Sequence, residues 1–410
     1  MKISTRYIMF MIIVYLFALQ FALMRHISIF QYWDEAYALM CIPLALISFS
    51  GKVKIKKKNK YIYRLLTALS LFMAIGFISS IVYKYQGAVA LVRDAFINLK
   101  FFMGIATTYY LLQDFRIEQY KSRIRNHAKF LIFLYFILVI QNKFTHLFSV
   151  ADMRFGISSE KIFFNHPTEL ASAMFFLLLI LVLCSVNMKK DLPFIAMGTA
   201  AVMLTLRFKA IATVLIFLYM YFIIVSGKKM RMLYFVPLIP FVGVIGGNEF
   251  YFYFFSKSAM DTARGALSYV SLEVAVNTFP LGTGFGTFAS WTSGIYYSPV
   301  YQLYGIDSVW GLSRDWPQLV SDVFWPMIIA QNGFLGLVLY VYIVICLFKL
   351  IRQCSEVDKR LYLVGVGALV YLLVSSIAES AFVNPLALPL AFVIGLTICV
   401  YNQKEKGVTR

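Results

Sequence analysis

The chain has 410 residues, of which 61% are hydrophobic, 17% aromatic and 14% charged, with a formal net charge of +19. Soluble domains carry about 25% charged residues, so this balance excludes a soluble globular protein and points to a polytopic membrane protein. The positive charge does not mark a nucleic-acid binder, because it lies in short loops beside apolar segments.

Twelve apolar segments follow in order: 7–24, 36–50, 62–83, 96–113, 130–148, 170–187, 192–206, 210–226, 232–246, 323–350, 361–378 and 386–401. Connections are short except for one stretch of about 75 residues, 248–322, between the ninth and tenth segments. The expected fold is an all-α polytopic membrane protein. It has a single integral domain over 1–410, about 12 transmembrane helices and one large outer loop holding an amphipathic helix. Several segments fall short of the roughly 20 residues an upright span needs, and these should extend into their flanks. The first segment lacks a small-residue cleavage site and is expected to stay as a span. No internal repeat is visible, which disfavours transporters built from duplicated halves.

Basic residues set the orientation. With the N-terminus inside, the inner segments hold Lys2 and Arg6, then Lys52, Lys54, Lys56, Lys57, Lys58 and Lys60. They continue with Arg116, Lys121, Arg123, Arg125 and Lys129, then Lys189, Lys190, Lys228, Lys229 and Arg231. The last are Lys349, Arg352, Lys359, Arg360, Lys404, Lys406 and Arg410. These are 25 of the 38 Lys and Arg, and every inner segment is basic, as cytoplasmic loops are. Both termini are then inside and 248–322 is outside. The cysteines, Cys41, Cys184, Cys346, Cys354 and Cys399, fall in spans or an inner loop, so no external disulfide is expected.

Arg64 lies at an inner edge. The other twelve basic residues stand on or near the outer face: Arg25, Lys84, Arg93, Lys100, Lys143, Arg154, Lys161, Arg207, Lys209, Lys257, Arg264 and Arg314. They are either solvated loop charge or a surface for an anionic head group such as a diphosphate, which arginine forks suit. Arg207 and Lys209 share a tight turn between two apolar segments, where ionisable residues are functional candidates. Arg264 lies in 258–277, where Met260, Ala263, Leu267, Val270 and Val274 repeat at helical spacing. Lys257, Asp261, Arg264, Ser268 and Ser271 form the opposite stripe. Ser258 and Asp261 resemble a capping box, and Asp261 could pair with Arg264 at i,i+3.

A glycine-rich run, 279–288, follows with Gly282, Gly284 and Gly286. Glycine there permits positive φ and close backbone approach to a ligand; a structural turn is the alternative. Next come Trp291, Tyr296, Tyr297, Tyr301, Tyr304, Trp310, Trp316 and Trp325, interleaved with Asp307, Arg314, Asp315 and Asp322. Aromatic faces stack on sugar rings and carboxylates bind hydroxyls, while an interfacial aromatic belt is the alternative. No Asp-x-Asp or H-E-x-x-H occurs, and His26, His127, His146 and His166 are scattered, so no metal and no cofactor is expected.

At these residues the chain resembles the O-antigen polymerase and O-antigen ligase superfamily. The resemblance rests on Arg264 in its helix, "NTFPLGTGFGTF", "SDVFWPMIIAQNGFLGLVLY", "TLRFKA" and "FFNHPTELA". It implies a metal-independent glycosyltransferase of the bacterial inner membrane, working at the periplasmic face on undecaprenyl-diphosphate-linked glycan. It assigns Arg207 and Arg264 to the diphosphate. The histidine of the ligase pattern falls at Asp322, which favours a polymerase with Asp322 orienting or deprotonating the acceptor hydroxyl. Asp322 could instead cap the tenth span. Asp307, Asp315 and Glu273 are the next candidates for the base. Lys209, Arg93, Arg154, Arg314, Glu273, His166, Gly284 and Trp310 complete the expected substrate-binding set. Partners would be lipid-linked donor and acceptor and a chain-length-regulating membrane protein. The alternatives are a ligase acting on lipid A-core, and a flippase of lipid-linked glycan.

Overall fold

The computed structural model describes residues 4–50, 59–154, 156–227, 247, 251–253, 255–256 and 258–408. Its helices are α1 (Thr5–His26), α2 (Trp33–Leu39), α3 (Cys41–Ser50), α4 (Lys60–Tyr83), α5 (Ala88–Leu112), α6 (Lys121–Thr145), α7 (Pro167–Leu183) and α8 (Met188–Leu204). They continue with α9 (Phe208–Val225), α10 (Ala263–Asn277), α11 (Trp291–Ile295), α12 (Val300–Leu303), α13 (Trp325–Gln353), α14 (Lys359–Ser375) and α15 (Ala387–Val408). One two-residue hairpin, Met153–Arg154 with Ile157–Ser158, is the sheet among the described residues. The protein is all-α, and six of these helices are long and apolar enough to cross a membrane: α1, α4, α6, α9, α13 and α15.

The other expected segments have different fates. Segment 36–50 is split between the short helices α2 and α3. Segment 96–113 lies in α5, which is 25 residues long but carries Arg93, Asp94 and Lys100. Segments 170–187, 192–206 and 361–378 become the 17-residue helices α7, α8 and α14. Segment 232–246, with Lys228, Lys229 and Arg231, lies outside the described residues, as do Lys257 and 51–58.

Helix α7 is the hub. Nearly every side chain on it is buried, and it packs on α1, α6, α8, α14 and α15. A helix that is apolar on every face has no polar side to show and is driven to the centre. His166 and Pro167 start it: the His166 ring accepts the Thr168 N–H, and proline at the first helical position loses no needed donor.

The glycine-rich run is sunk into the bundle rather than displayed on an outer loop. Residues 282–290 are buried. Helix α13 breaks at Gly333, whose φ is 65° and ψ −170°. The carbonyls freed by the break accept from the run: Thr283 N–H donates to Ala330 O (2.8 Å) and Gly284 N–H to Gln331 O (2.8 Å). On its other side Phe285 N–H donates to Ser80 Oγ of α4 (2.9 Å) and Gly286 N–H to Asp94 of α5 (2.9 Å). Irregular backbone at this depth is tolerated because protein, not lipid, satisfies it.

The helix expected over 258–277 begins later, at Ala263. Thr262 caps it, its hydroxyl accepting the Gly265 N–H, while Ala259–Asp261 is a separate 3-10 turn. Ser258 makes no capping bond. The turn is tucked so tightly onto the helix start that a Cβ on Gly265 would lie 1.9 Å from Ala259 O. The buried face of α10, with Leu267, Val270 and Val274, packs on α13.

Candidate functional site

Three stretches far apart in sequence bring their charges together. The first is the 150s connection with the hairpin. Asp152 accepts from Arg154 (Nε–Oδ2, 2.9 Å) and from Arg207 (Nη2–Oδ1, 3.0 Å). Burial raises the Asp152 carboxyl, but Arg154 and Arg207 outweigh it and hold it below the ordinary carboxylate range.

The second is the turn between α8 and α9. Leu206 there takes a positive φ of 52°, and Arg207 precedes the first residue of α9. Lys209, two residues on, pairs with Glu379 (Nζ–Oε2, 2.5 Å). His166 stands in the field of both cations and of Arg154. Burial, then Arg207 and Lys209, push its imidazole down to about 4. It is therefore neutral near pH 7. Its Nδ1 accepts the Thr168 N–H (3.2 Å), so its proton sits on Nε2.

The third is α10 with the residues just ahead of α13. Arg264 donates to Asp322 (Nη2–Oδ2, 3.1 Å) and lies 4.8 Å over the Tyr253 ring. Its Nε is buried and has no hydrogen-bond partner among the described residues. Asp322 also feels Lys209 and Glu379, which joins this stretch to the second. Burial pushes the Asp322 carboxyl above the ordinary range, and Arg264 and Lys209 recover only part of that.

Two sequence expectations are corrected here. Among the described residues the ion pair of Arg264 goes not to Asp261 but to Asp322, 58 residues away. Asp322 does not cap the tenth span: α13 starts at Trp325 with Phe324 at the N-cap and no side-chain capping bond. The carboxylate is turned toward Arg264 instead.

Six expected site residues thus share one cluster: Arg154, His166, Arg207, Lys209, Arg264 and Asp322. The others do not join it through any ion pair among the described residues. Arg93 is exposed on α5 beside an open recess lined by Val89, Val92 and Phe96. Glu273 is exposed on α10, and Trp310 is 73% exposed. Arg314 is exposed with Asp315, close enough to act on the Tyr297 phenol, which burial and then Asp307 push up to about 12. Gly284 has a structural duty. At φ 95° it presses on α4, and a Cβ there would lie 2.3 Å from Ser80 Oγ and 2.5 Å from Ser80 N.

Sequence reasoning missed Glu379. It follows α14, its side chain is 15% exposed, and it meets Lys209. Ser380 beside it donates to Ser321 O (2.6 Å), holding the turn that carries Asp322. The available signal was an isolated carboxylate at the end of an apolar segment. Four cations thus stand among three carboxylates and a neutral imidazole. That set can receive a di-anion by exchange, the anion taking the guanidinium forks from their carboxylates. Among the described residues no group of three or more His, Cys, Asp or Glu is placed to hold a metal. No family model matches the chain, and no curated protein matches it either.

Proposed function

We propose that the protein is a membrane glycosyltransferase. It polymerises undecaprenyl-diphosphate-linked oligosaccharide repeat units into O-antigen or capsule-type polysaccharide at the periplasmic face of a bacterial inner membrane. The observation that carries this reading is the gathering of four cations on three carboxylates: Arg154 and Arg207 on Asp152, Lys209 on Glu379, and Arg264 on Asp322, which also feels Lys209. It supports a site for a lipid diphosphate with a carboxylate at hand.

In this reading the donor diphosphate takes the forks of Arg207 and Arg264. The acceptor hydroxyl attacks the anomeric carbon, and the bond from that carbon to the diphosphate oxygen breaks. The bond electrons leave with undecaprenyl diphosphate, stabilised by the guanidinium groups without an acid. The hydroxyl proton passes to Asp322. As the diphosphate draws Arg264 away, Asp322 loses its cation and becomes a stronger base. Twelve spans, cytoplasmic termini and a chain-length-regulating membrane partner belong to the same proposal.

The direct test is deletion of the gene, read as surface polysaccharide length on a gel. Loss of the ladder with one repeat retained supports a polymerase. Loss of every attached repeat means a ligase, and accumulation of lipid-linked repeats on the inner leaflet means a flippase.

The orientation has its own test. Asp315, within 248–322, is exposed. In a background lacking Cys41, Asp315→Cys is expected to react with a membrane-impermeant maleimide in intact spheroplasts. Labelling only after lysis overturns the orientation.

Asp322→Asn tests the base. Asparagine keeps an oxygen for Arg264, so the protein is expected to insert. Polymerisation is expected to fall by about 10²–10⁴-fold, the usual contribution of a general base. In the wild type the ionised form is the active one. Activity should therefore drop as pH falls through a value above the ordinary 3.9 or so, since burial raises this carboxyl. His166, pushed down to about 4, stays neutral near pH 7. Normal polymer from Asp322→Asn removes Asp322 from the chemistry.

A further inference from the structure

A second ionic centre lies on α2 and α5, and the proposed reaction does not use it. Lys100 stands twelve residues into α5, about 18 Å along the helix. Its side chain is 4% exposed and its Nζ bonds Asp34 Oδ2 at 2.5 Å. Glu35 Oε1 lies 3.7 Å from the same nitrogen. Asp34 is fully sealed, while the Glu35 side chain is 35% exposed. The two carboxyl groups stand within hydrogen-bonding reach of each other. Asp34 Oδ1 and Glu35 Oε2 are buried and have no hydrogen-bond donor among the described residues.

One cation cannot satisfy this arrangement. With both carboxylates ionised the centre carries a net charge of −1 in a poorly solvated place. Two neighbouring carboxylates then each keep a buried oxygen with no donor, an arrangement that like charges resist. A single proton resolves all of it. The Asp34–Lys100 ion pair remains, the Glu35 carboxyl donates to Asp34, and the centre becomes neutral. A metal cation would instead need several oxygen ligands, and Lys100 already occupies the second Asp34 oxygen.

We propose that Asp34, Glu35 and Lys100 form a proton-binding site, in which one proton shared by the two carboxyls latches α2 onto α5. The exposed edge of Glu35 is the route by which the proton exchanges. Other titratable groups on α2, α5 and their flanks have their own partners, are exposed or lie apart along the chain. Tyr37 on α2 bonds Thr108, Asp94 on α5 receives Gly286 N–H, and Arg93 is exposed. Tyr32 precedes α2 and Cys41 follows it, while Tyr109 and Tyr110 lie further along α5. Lys100 is the charged group that faces the pair.

Burial and then Asp34 hold the Glu35 carboxyl above its ordinary range. A raised value in the folded state means the latch is complete at low pH and is lost as pH rises through that value. The test is thermal unfolding of the full-length protein in detergent from acid to alkaline pH. The wild-type midpoint is expected to fall by a few degrees on the alkaline side. Glu35→Gln, whose amide donates to Asp34 permanently, is expected to match the wild type at acid pH and to lose that fall. Asp34→Asn, which strands Lys100, is expected to be destabilised at every pH. An unchanged alkaline fall in Glu35→Gln overturns the proposal, and so does instability of that variant at acid pH. Recovery of the wild-type alkaline midpoint by sodium, with potassium inert, means a metal cation site and also overturns it.

Discussion

Arg264→Ala is expected to abolish polymer while the protein still inserts. The side chain stands between Asp322 and the Tyr253 ring, about a quarter exposed, and in the proposed reaction it receives the leaving diphosphate. Removing one preorganised charged donor from a developing anion lowers turnover by about 10²–10³-fold. That drop exceeds any effect on folding. Loss of the partly exposed pair with Asp322 is worth roughly 1 kcal/mol. Stranding the half-buried Asp322 adds on the order of 1–2 kcal/mol. Arg264→Lys is expected to recover part of the activity, since ammonium keeps the charge but not the bidentate fork. The measurements are polymer length in cells and protein yield in detergent. Full-length polymer from Arg264→Ala would reduce the residue to a tether for Asp322.

Gly284→Ala is expected to fail at an earlier step, with little folded protein recovered. Two independent penalties meet there. At φ 95° an L-residue is strained, by roughly 1–3 kcal/mol. The added Cβ would also lie 2.5 Å from Ser80 N and 2.6 Å from Ser80 Cα. That is helix backbone, which cannot swing aside as a side chain can, and overpacking of this kind costs roughly 1–3 kcal/mol more. Separation would also pull Thr283 and Gly284 from the carbonyls that the break in α13 leaves open. The measurement is the yield and thermal midpoint of the detergent-solubilised variant. A variant that folds normally but makes no polymer would return Gly284 to a ligand-contacting role.

The two variants separate what a linear reading can and cannot find. Arg264 stood out because a cation on the polar stripe of an apolar helix is visible locally. Its partner was not visible: Asp261, three residues back, was the local choice, and the structure chose Asp322. In the same way Asp322 had the look of a helix cap, since acids commonly sit ahead of helices. Helix α13 instead starts at Trp325 with Phe324 at the N-cap, and the Asp322 carboxylate pairs with Arg264. Glu379 went unnoticed because an isolated acid after an apolar segment has no motif around it. Its meaning comes from Lys209, 170 positions earlier.

Membrane class, helical content and the candidate cations were determined by the sequence itself, because apolar length and helical spacing are local properties that need no partner. The broken α13, the burial of residues 282–288 and the exchange of partners among Arg264, Asp322, Lys209 and Glu379 were decided by tertiary structure. The physical reason is that buried charges and freed carbonyls must be satisfied by whatever groups packing brings near. Proximity across 47 to 205 residues of chain is set by how α4, α10, α13 and α14 stack. No periodicity in the sequence encodes that stacking.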